Sequence, residues 1–452
     1  MTPKRLLITG LFVEVCLLTT LHAQEKGQDG WITLFNGRDL SAWVQRGGKA
    51  VYTIEGNEIV GTATANTSNS FLCTEKDYGD FILELELKVD TSMNSGIQFR
   101  SHSQPEYQNG KVYGYQMEVD PSGRRWSGGI YDEGKRGWLY TLETNPAAKP
   151  AFKNSQWNRY RIEAIGSHIR TFINNIPCAD ILDNVEPTGF IALQVHAIDI
   201  NKRPWTLGTQ IHFRNIRILT ADLQKNITLS GEIPQVNNIP NTITEKERKE
   251  GWSLLFDGIS TKGWRGACMD KFPEKGWVIG NGTISVIPKG GGGDIVTTGK
   301  YKDFELTFQF KLTDTANGGI KYYVTENEYE KGALGLEYQV LDDDKHPDAK
   351  LGINGDRTLA SLYDLQPAKG KRPNAIGEWN KGRIVAKNNK IEHWLNGIKV
   401  LEYGRGSKEY LDWVAKSKFK DMKNFGMTPA GYILIQDHFC KVYYRDIKIR
   451  NL

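Results

Sequence analysis

The chain has 452 residues, of which 39% are hydrophobic and 25% are charged, the composition of a globular protein long enough for two or three domains. Its formal net charge is +5, and the basic residues are scattered, which excludes nucleic acid as an expected partner. The 12 Trp, 19 Tyr and 47 Gly residues indicate turn-rich β structure, with aromatic side chains that either stack on sugars or fill the core.

Residues 1–23 have the pattern of a secretory signal peptide. After a basic start, a mostly apolar stretch runs from Leu6 to Leu21, and the small residue Ala23 precedes the expected cleavage point. A membrane anchor is the alternative, but the stretch is short and Glu14 interrupts it. No later stretch is apolar enough to cross a bilayer. We therefore expect export, with no transmembrane segment after cleavage.

The rest of the chain repeats itself. Eight blocks of the first half return in the same order in the second half. Among the matched pairs are GWITLFNGRDLSAW with GWSLLFDGISTKGW, NSGIQFR with NGGIKYY, YGYQMEVD with LGLEYQVL, WNRYRIE with WNKGRIV, and GFIALQVHA with GYILIQDHF. The repetition predicts two copies of one domain, at residues 24–220 and 251–452, joined by a polar linker at residues 221–250.

Each copy reads as a series of strands. Residues 80–89 and 303–312 alternate polar and apolar side chains at period two. Tight turns are expected at Gly166-Ser167 and at Asn388-Asn389, and one short helix around residues 408–418. Many short strands with regularly spaced turns predict an all-β fold of antiparallel sandwich type, and a jelly roll with one curved polar face fits this domain size.

Four cysteines remain after the predicted cleavage, at positions 73, 178, 268 and 440. Two fall in each half, so one disulfide per half is possible, although three pairings can be drawn. None lies in a CxxC pair or a metal-type cluster. We expect most of them to be buried free thiols.

The blocks GLEYQVLDDDKHPDA, SLYDL, GEWNKGRIVAKNNKIEHWLNGIKVLEY and GYILIQDHF resemble the 3-keto-disaccharide hydrolase domain family, formerly a domain of unknown function. The first copy resembles another branch of that family through GYQMEVD, WSGGIYDEGKRGWLY and GFIALQVH. The resemblance covers nearly all of the chain after the signal segment. It implies two tandem concanavalin-like jelly-roll β-sandwich domains, secretion or a periplasmic location in a bacterium, and action on glycosides whose C3 hydroxyl has been oxidised to a ketone.

A ketone at C3 acidifies the proton on C2, so that a base can remove it and the group on C1 can leave by β-elimination. Such chemistry needs a base of near-neutral pKa, an electrophile beside the C3 oxygen and an acid beside the leaving oxygen. Polar residues at matching positions of the two copies supply candidates. The expected catalytic residues are Glu337, Gln339, Tyr363, Gln436 and His438 in the second copy, and Glu118, Tyr131 and His196 in the first.

His438 and His196 are the leading bases, because each follows a glutamine by two positions and would share a strand face with it. A histidine buried for structural reasons is the alternative. Tyr363 and Tyr131 could donate to the enolate or to the leaving oxygen, or could be core tyrosines. The expected substrate-binding residues are Gln116, Asp120, Arg100, Trp126, Trp138, Gln194 and Lys321.

An acidic run follows the strand that carries Glu337. Asp342, Asp344 and His346 could hold a divalent cation that polarises the ketone, or the run could only solvate a turn. No cofactor beyond this possible metal is expected.

Two other functions stay open. A non-catalytic, lectin-like glycan-binding protein fits the fold class, and a conventional glycoside hydrolase is possible with Glu337 and Asp342. Neither copy completes the ExDxxE pattern of jelly-roll retaining glycosidases. The unlike central strands, GYQMEVD and GLEYQVL, favour a division of labour with the second copy catalytic.

Overall fold

The computed structural model describes residue 27 and residues 29–229, 231–328 and 332–452. The predicted signal peptide at residues 1–23 lies outside the described residues. The chain divides into two compact units, the first ending at Asn238 and the second starting at Ile239. In the described part of the chain, no helix has the length and apolar character needed to cross a membrane.

The first unit is built from sixteen described strands. They are β1 (Ile32–Thr33), β2 (Trp43–Gly47), β3 (Val51–Glu55), β4 (Glu58–Thr62), β5 (Ser70–Thr74), β6 (Phe81–Val89), β7 (Ser95–His102), β8 (Tyr113–Val119), β9 (Ile130–Glu133), β10 (Gly137–Tyr140), β11 (Asn158–Ile165), β12 (His168–Ile173), β13 (Ile176–Leu182), β14 (Phe190–Val195), β15 (Gln210–Leu219) and β16 (Val236–Asn237). A nine-stranded sheet has the order β16-β13-β12-β11-β6-β15-β4-β3, with β1 on β15, and a seven-stranded sheet has the order β10-β9-β8-β7-β14-β5-β2.

The second unit repeats this plan. Its elements are α1 (Glu245–Lys249), β17 (Ser253–Leu254), β18 (Trp264–Gly266), β19 (Trp277–Gly280), β20 (Thr283–Val286), β21 (Ile295–Thr297), β22 (Phe304–Leu312), β23 (Asn317–Glu326), β24 (Ala333–Leu341), β25 (Trp379–Lys387), β26 (Lys390–Leu395), β27 (Ile398–Gly404), α2 (Lys408–Lys416), β28 (Tyr432–Ile435) and β29 (Val442–Asn451). The two sheets have the orders β19-β20-β29-β22-β25-β26-β27, with β17 on β29, and β18-β21-β28-β23-β24. Short 3-10 turns cover Pro146–Ala148, Pro204–Thr206, Leu223–Lys225 and Pro347–Lys350.

Each unit is a jelly-roll β-sandwich, so the predicted fold class is confirmed. Side chains from both sheets of a unit meet in one continuous apolar core. The period-two stretches became β6 and β22, and the predicted turns join β11 to β12 and β25 to β26. Asn388 and Asn389 both have a positive φ, 52° and 61°, as a two-residue hairpin turn requires.

The segment predicted to be a linker is hydrogen-bonded into both units. Val236 in β16 pairs with Ile181 in β13, and the hydroxyl of Tyr140 donates to the carbonyl of Pro234 at 2.9 Å. On the side of the second unit, the backbone nitrogen of Asn241 donates to Oδ1 of Asp446 at 3.1 Å, and Thr244 caps α1. The boundary between the units, after Asn238, lies within the predicted linker. The linker residues on either side of it belong to the two units.

All four described cysteines are free thiols, and the possible disulfides are not formed. Cys73 and Cys178 are buried, while Cys268 is exposed and Cys440 is half-buried. The expectation that most are buried holds for the first unit only.

Candidate active site

The floor of the candidate site is the strand pair β23 and β24. Leu336, Tyr338 and Val340 point into the core, so the intervening Glu337 and Gln339 project from the opposite face of the sheet. The antiparallel register places Glu337 opposite Lys321 and Gln339 opposite Gly319. The polar residues that interrupt this strand therefore face a cleft.

A cleft of about 270 Å³ lies over these strands. Six of the residues predicted from the sequence line it: Lys321, Glu337, Gln339, Tyr363, Gln436 and His438. Seven further residues complete the lining: Asn317, Leu334, Gly335, Asp348, Lys418, Phe419 and Met422. The second copy thus brings most of its predicted site residues together.

Glu337 has the environment of a general base. Its side chain is 7% exposed, and burial raises the pKa of its carboxyl to about 7, with Lys321 and Lys418 opposing that rise. A base whose pKa lies near neutral is half ionised at working pH and still basic enough to accept a proton from carbon. Gly319 provides the space, because a Cβ at that position would collide with Oε1 of Glu337.

One wall of the cleft is a chain of charged and hydrogen-bonded side chains. The hydroxyl of Tyr363 donates to Oδ2 of Asp348 at 2.9 Å, and Arg357 bonds Oδ1 of Asp348 at 3.0 Å and Asp364 at 2.6 Å. Burial and the adjacent Asp348 raise the pKa of Tyr363, so its hydroxyl stays protonated. The network holds Tyr363 as a fixed hydrogen-bond donor.

Lys418 completes that wall and was not predicted from the sequence. Its ammonium nitrogen lies 4.1 Å from the centroid of the Tyr363 ring, and its backbone nitrogen donates to Asp364 at 2.8 Å. Burial lowers the pKa of Lys418. The residue follows α2 in a loop, where no periodic pattern distinguishes it from a solvated lysine.

Buried acceptors in the cleft lack partners. Among the described residues, Oε1 of Gln339 and Oε1 of Gln436 accept no hydrogen bond. An unpaired buried acceptor is costly, so these atoms favour a ligand rich in hydroxyl donors. Because β28 ends at Ile435, Gln436 and His438 lie in the loop after the strand. The prediction that they share a strand face was therefore wrong, although both still reach the cleft.

The acidic run after β24 stabilises a turn. The carboxylate of Asp342 accepts backbone N–H groups of Thr315, Asp344 and Lys345 at 3.0, 3.2 and 3.3 Å. Asp344 is exposed. The structure therefore does not bring Asp342 and Asp344 together with His346 as a ligand set. The imidazole of His346 instead faces that of His438, with 6.1 Å between ring centroids.

The equivalent face of the first unit is occupied by its own side chains. Glu118 accepts from Asn94 at 2.7 Å and from Gln116 at 3.0 Å, and Arg124 lies 3.5 Å from its carboxylate. Burial raises the pKa of Glu118 to about 7, as for Glu337. Gln98 takes the position of Lys321 and donates to Gln116 at 2.6 Å, so a neutral amide lies opposite the central strand where the second unit has an ammonium group.

Arg124 also covers the aromatic residues of the first unit. Its guanidinium lies 4.5 Å from the ring centroid of Trp126 and 5.2 Å from that of Trp138, and it donates to Asp120 at 2.8 Å. Tyr131 packs edge-on against Trp138, with 5.2 Å between ring centroids. These predicted sugar contacts do form one cluster.

Other predicted residues of the first unit are placed differently. Arg100 is 1% exposed and donates to the carbonyls of Gly79 and Gly166, both at 2.8 Å, so it braces loops and cannot reach a sugar. The Nδ1 atom of His196 lies 2.6 Å from the carbonyl oxygen of Ala197, and burial lowers the pKa of the imidazole. Gln194 is buried, with Oε1 unpartnered among the described residues.

The structure thus consists of two jelly rolls, and a polar cleft lies over the central strands of the second. The sequence model of one protein family, the 3-keto-alpha-glucoside-1,2-lyase-like domain, matches residues 30–219 and again residues 251–450. The chain therefore belongs to this family, in two copies.

A 3-keto-disaccharide hydrolase of Bacteroides thetaiotaomicron is 36% identical over 231 residues, which cover 45% of this chain and 79% of that protein. A solved structure from Parabacteroides distasonis, provisionally described as a glycosyl hydrolase, is 31% identical, covers 47% of this chain and all of that chain, and superposes with a TM-score of 0.44. The carbohydrate binding module CBM66 from Bacillus subtilis is 15% identical, covers 39% of this chain and 93% of that chain, and has a TM-score of 0.27.

Proposed function

We propose that the second unit cleaves 3-keto-glycosides by β-elimination, with Glu337 as the base. The observation that carries this proposal is a buried carboxyl with a pKa of about 7 on the floor of a cleft. Two lysines that line the same cleft limit the rise of this pKa. The relative from Bacteroides thetaiotaomicron, named a 3-keto-disaccharide hydrolase, supports the same substrate class.

The reaction balances without a redox partner. Glu337 takes the proton from C2, and the electron pair forms an enolate with the C3 carbonyl. The enolate then re-forms the C3 carbonyl, a double bond forms between C1 and C2, and the bond from C1 to the leaving oxygen breaks. That oxygen takes a proton, and addition of water across the new double bond completes a net hydrolysis.

Lys321 and Lys418 would stabilise the enolate, because both ammonium groups lie near Glu337, and negative charge passes from its carboxylate to the C3 oxygen as the proton moves. Tyr363 would donate its hydroxyl proton towards the leaving oxygen, and in doing so would give up its present hydrogen bond to Asp348. His438 was one of the two leading bases from the sequence, with His196. It is exposed at the cleft margin, whereas Glu337 is buried on the floor, so Glu337 replaces it as the base.

A conventional two-carboxylate mechanism is less well supported. The carboxylate of Asp342, the expected partner of Glu337, accepts three backbone N–H groups and does not line the cleft. A second function is proposed for the first unit, which would bind glycans without turnover. The cluster of Trp126, Trp138 and Tyr131 under Arg124 supports it.

Release of aglycone from a chromogenic 3-keto-glucoside, measured beside the unoxidised glucoside, tests the proposal. Turnover of the keto substrate alone is expected. Equal turnover of both would favour an ordinary glycosidase, and turnover of neither would favour glycan binding by the whole chain.

We also propose that the chain is exported to the periplasm or beyond, on the basis of residues 1–23. Mature protein beginning at Gln24 in the periplasmic or culture fraction would support export. Full-length protein confined to the cytoplasm would contradict it.

A further inference from the structure

Three side chains of metal-binding type meet beside the candidate active site. One ligand atom from each of His346, His438 and Cys440 lies within 4.8 Å of the other two. His346 and Cys440 are half-buried, His438 is exposed, and the two imidazole rings meet edge to face at 80°. No sequence pattern predicted this set, because His346 is distant in sequence from the other two.

The loop that carries two of these ligands is anchored. The backbone nitrogen of Asp437 donates to Asp294 at 2.8 Å, and the carboxylate of Asp437 accepts from the backbone nitrogens of Gly293 at 3.0 Å and Phe439 at 3.1 Å. Phe439 adopts a φ of 59° between His438 and Cys440 and is 62% exposed. The chain thus holds an apolar ring in solvent while His438 and Cys440 approach His346.

The first unit carries only one of the three residues. In the matched blocks, His196 and His438 both stand seven positions after the initial glycine, Gly189 or Gly431. Two positions further on, Cys440 is replaced by Ile198. The cluster is therefore particular to the unit that holds the candidate base.

Two imidazoles and one thiol form a donor set for a borderline or soft cation. Zn²⁺ accepts nitrogen and sulfur ligands, and catalytic zinc sites have three protein ligands with the fourth position open. Mg²⁺ and Ca²⁺ prefer oxygen ligands, which this set lacks. We propose that His346, His438 and Cys440 bind one divalent cation of the Zn²⁺ class at the mouth of the second-unit cleft.

Binding requires the three side chains to close around the ion, because their ligand atoms, within 4.8 Å of one another, lie farther apart than the ligands of a tetrahedral site can. It also costs one hydrogen bond. Nδ1 of His346 accepts a hydrogen bond from the backbone nitrogen of Asp348 at 3.2 Å. Ligation through Nε2 moves the imidazole proton to Nδ1, and ligation through Nδ1 replaces the amide proton with the ion. Either choice gives up this single long hydrogen bond, a small loss beside a metal–ligand bond.

Cobalt titration tests the site directly. The full mature chain, stripped with a chelator and dialysed, is titrated with Co²⁺, and Zn²⁺ is then added as competitor. One ion per chain is expected, with a thiolate-to-cobalt charge-transfer band in the near ultraviolet that Zn²⁺ abolishes. Cys440→Ser should remove the band, and His346→Ala should weaken binding by roughly 100-fold or more.

Cys268→Ser is the matched control, because Cys268 is the exposed thiol of the same unit and lies outside the cluster. It should bind Co²⁺ as wild type does, and far-ultraviolet circular dichroism should show each variant folded. A folded wild-type chain with no saturable charge-transfer band would overturn the proposal. Survival of the band in Cys440→Ser together with its loss in Cys268→Ser would overturn it as well.

Binding of the ion does not depend on the proposed reaction, whereas a role for the ion in turnover rests on it. Glu337→Gln should still bind Co²⁺, since it leaves all three ligands in place. A chain that turns over the keto substrate but fails the cobalt titration would refute the metal site and leave the elimination standing. A chain that binds Co²⁺ but has no turnover would support the site and refute the elimination.

Discussion

Glu337 lies directly opposite Lys321 across the antiparallel pair β23 and β24, and both side chains project into the cleft. Burial raises the pKa of Glu337 to about 7, and of the nearby charges that lower this pKa, Lys321 has the largest effect. In the first unit the corresponding pair is Gln116 and Gln98, which hydrogen-bond to each other at 2.6 Å. The charged pair therefore distinguishes the unit proposed to be catalytic.

Glu337→Gln should lower kcat for aglycone release from a 3-keto-glucoside by roughly 10²- to 10⁴-fold, because the amide cannot accept the C2 proton. The comparison variant in the first unit is Glu118→Gln, which replaces a buried carboxyl at the position that corresponds to Gln339. The oxygens of Glu118 already accept hydrogen bonds from Asn94 and Gln116. This variant should retain activity within about threefold, as expected for a substitution outside the reacting site. Steady-state kinetics of the two variants decide which unit holds the base. A larger fall in kcat for Glu118→Gln than for Glu337→Gln would place the base in the first unit.

The same substitution should raise stability at alkaline pH. The pKa of Glu337 rises on folding from 4.5 to about 7, so folding disfavours the charged carboxylate, and wild-type stability falls as pH rises through that interval. At 1.36 kcal/mol per pKa unit, the free energy of unfolding of Glu337→Gln should exceed that of wild type by on the order of 3 kcal/mol at pH 8 and by almost nothing at pH 4. Urea unfolding of both proteins at the two pH values measures this difference. An equal gain in stability at both pH values would show that the charge of Glu337 is not the cause.

Activity should rise with pH through about 7 as Glu337 ionises. Lys321→Met should shift this rise in activity to higher pH, since it removes the cation that most favours the ionised form of Glu337. The pH profile of kcat/KM measures the shift. If activity rises over the same pH range when Lys321 is replaced, the ionisation belongs to another group.

Tyr363→Phe should lower kcat by roughly 100-fold, because it removes the hydroxyl proposed to protonate the leaving oxygen. A leaving group of low pKa, such as a nitrophenol, needs less proton donation, so the loss should be smaller for that substrate than for a disaccharide. Comparison of the two substrates measures this difference. Equal losses on both would indicate that Tyr363 has a structural role.

Gly319→Ala should lower kcat by roughly 100-fold through displacement of the base, because the added Cβ collides with Oε1 of Glu337. Gly280→Ala is the control, since that position has open space and its substitution should leave kinetics unchanged. Kinetics together with thermal melting separate misplacement of the base from unfolding. Wild-type kinetics in Gly319→Ala would show that Glu337 is not held against this glycine.

The repeat and the period-two patterns were sufficient to predict the fold. Each copy became a sandwich because alternation in stretches such as β6 and β22 specifies one buried face, and the hairpin turns carried residues that accept positive φ. The boundary between the units was harder to predict. The polar composition of residues 221–250 does not reveal that Val236 pairs with a strand of the first unit.

Two signals predicted the candidate site: strand alternation for the side chains on β23 and β24, and motifs repeated in both copies for Tyr363, Gln436 and His438, which lie outside the strands. Cleft residues with neither signal were missed. Glu337, Gln339 and Lys321 follow strand alternation, so their common face could be inferred. Asp348 and Lys418 reach the cleft from irregular segments, whose course depends on tertiary contacts such as the salt bridge of Arg357 with Asp348. Arg100 was misassigned because its sequence gives no indication that backbone carbonyls would bury it.

The most direct test of the central claim is the isotope effect on aglycone release from a 3-keto-glucoside deuterated at C2. The proposed elimination predicts a primary isotope effect, loss of turnover in Glu337→Gln and no turnover of the unoxidised glucoside. Equal rates for the protiated and deuterated substrates, together with cleavage of the unoxidised glucoside, would contradict proton abstraction from C2 by Glu337.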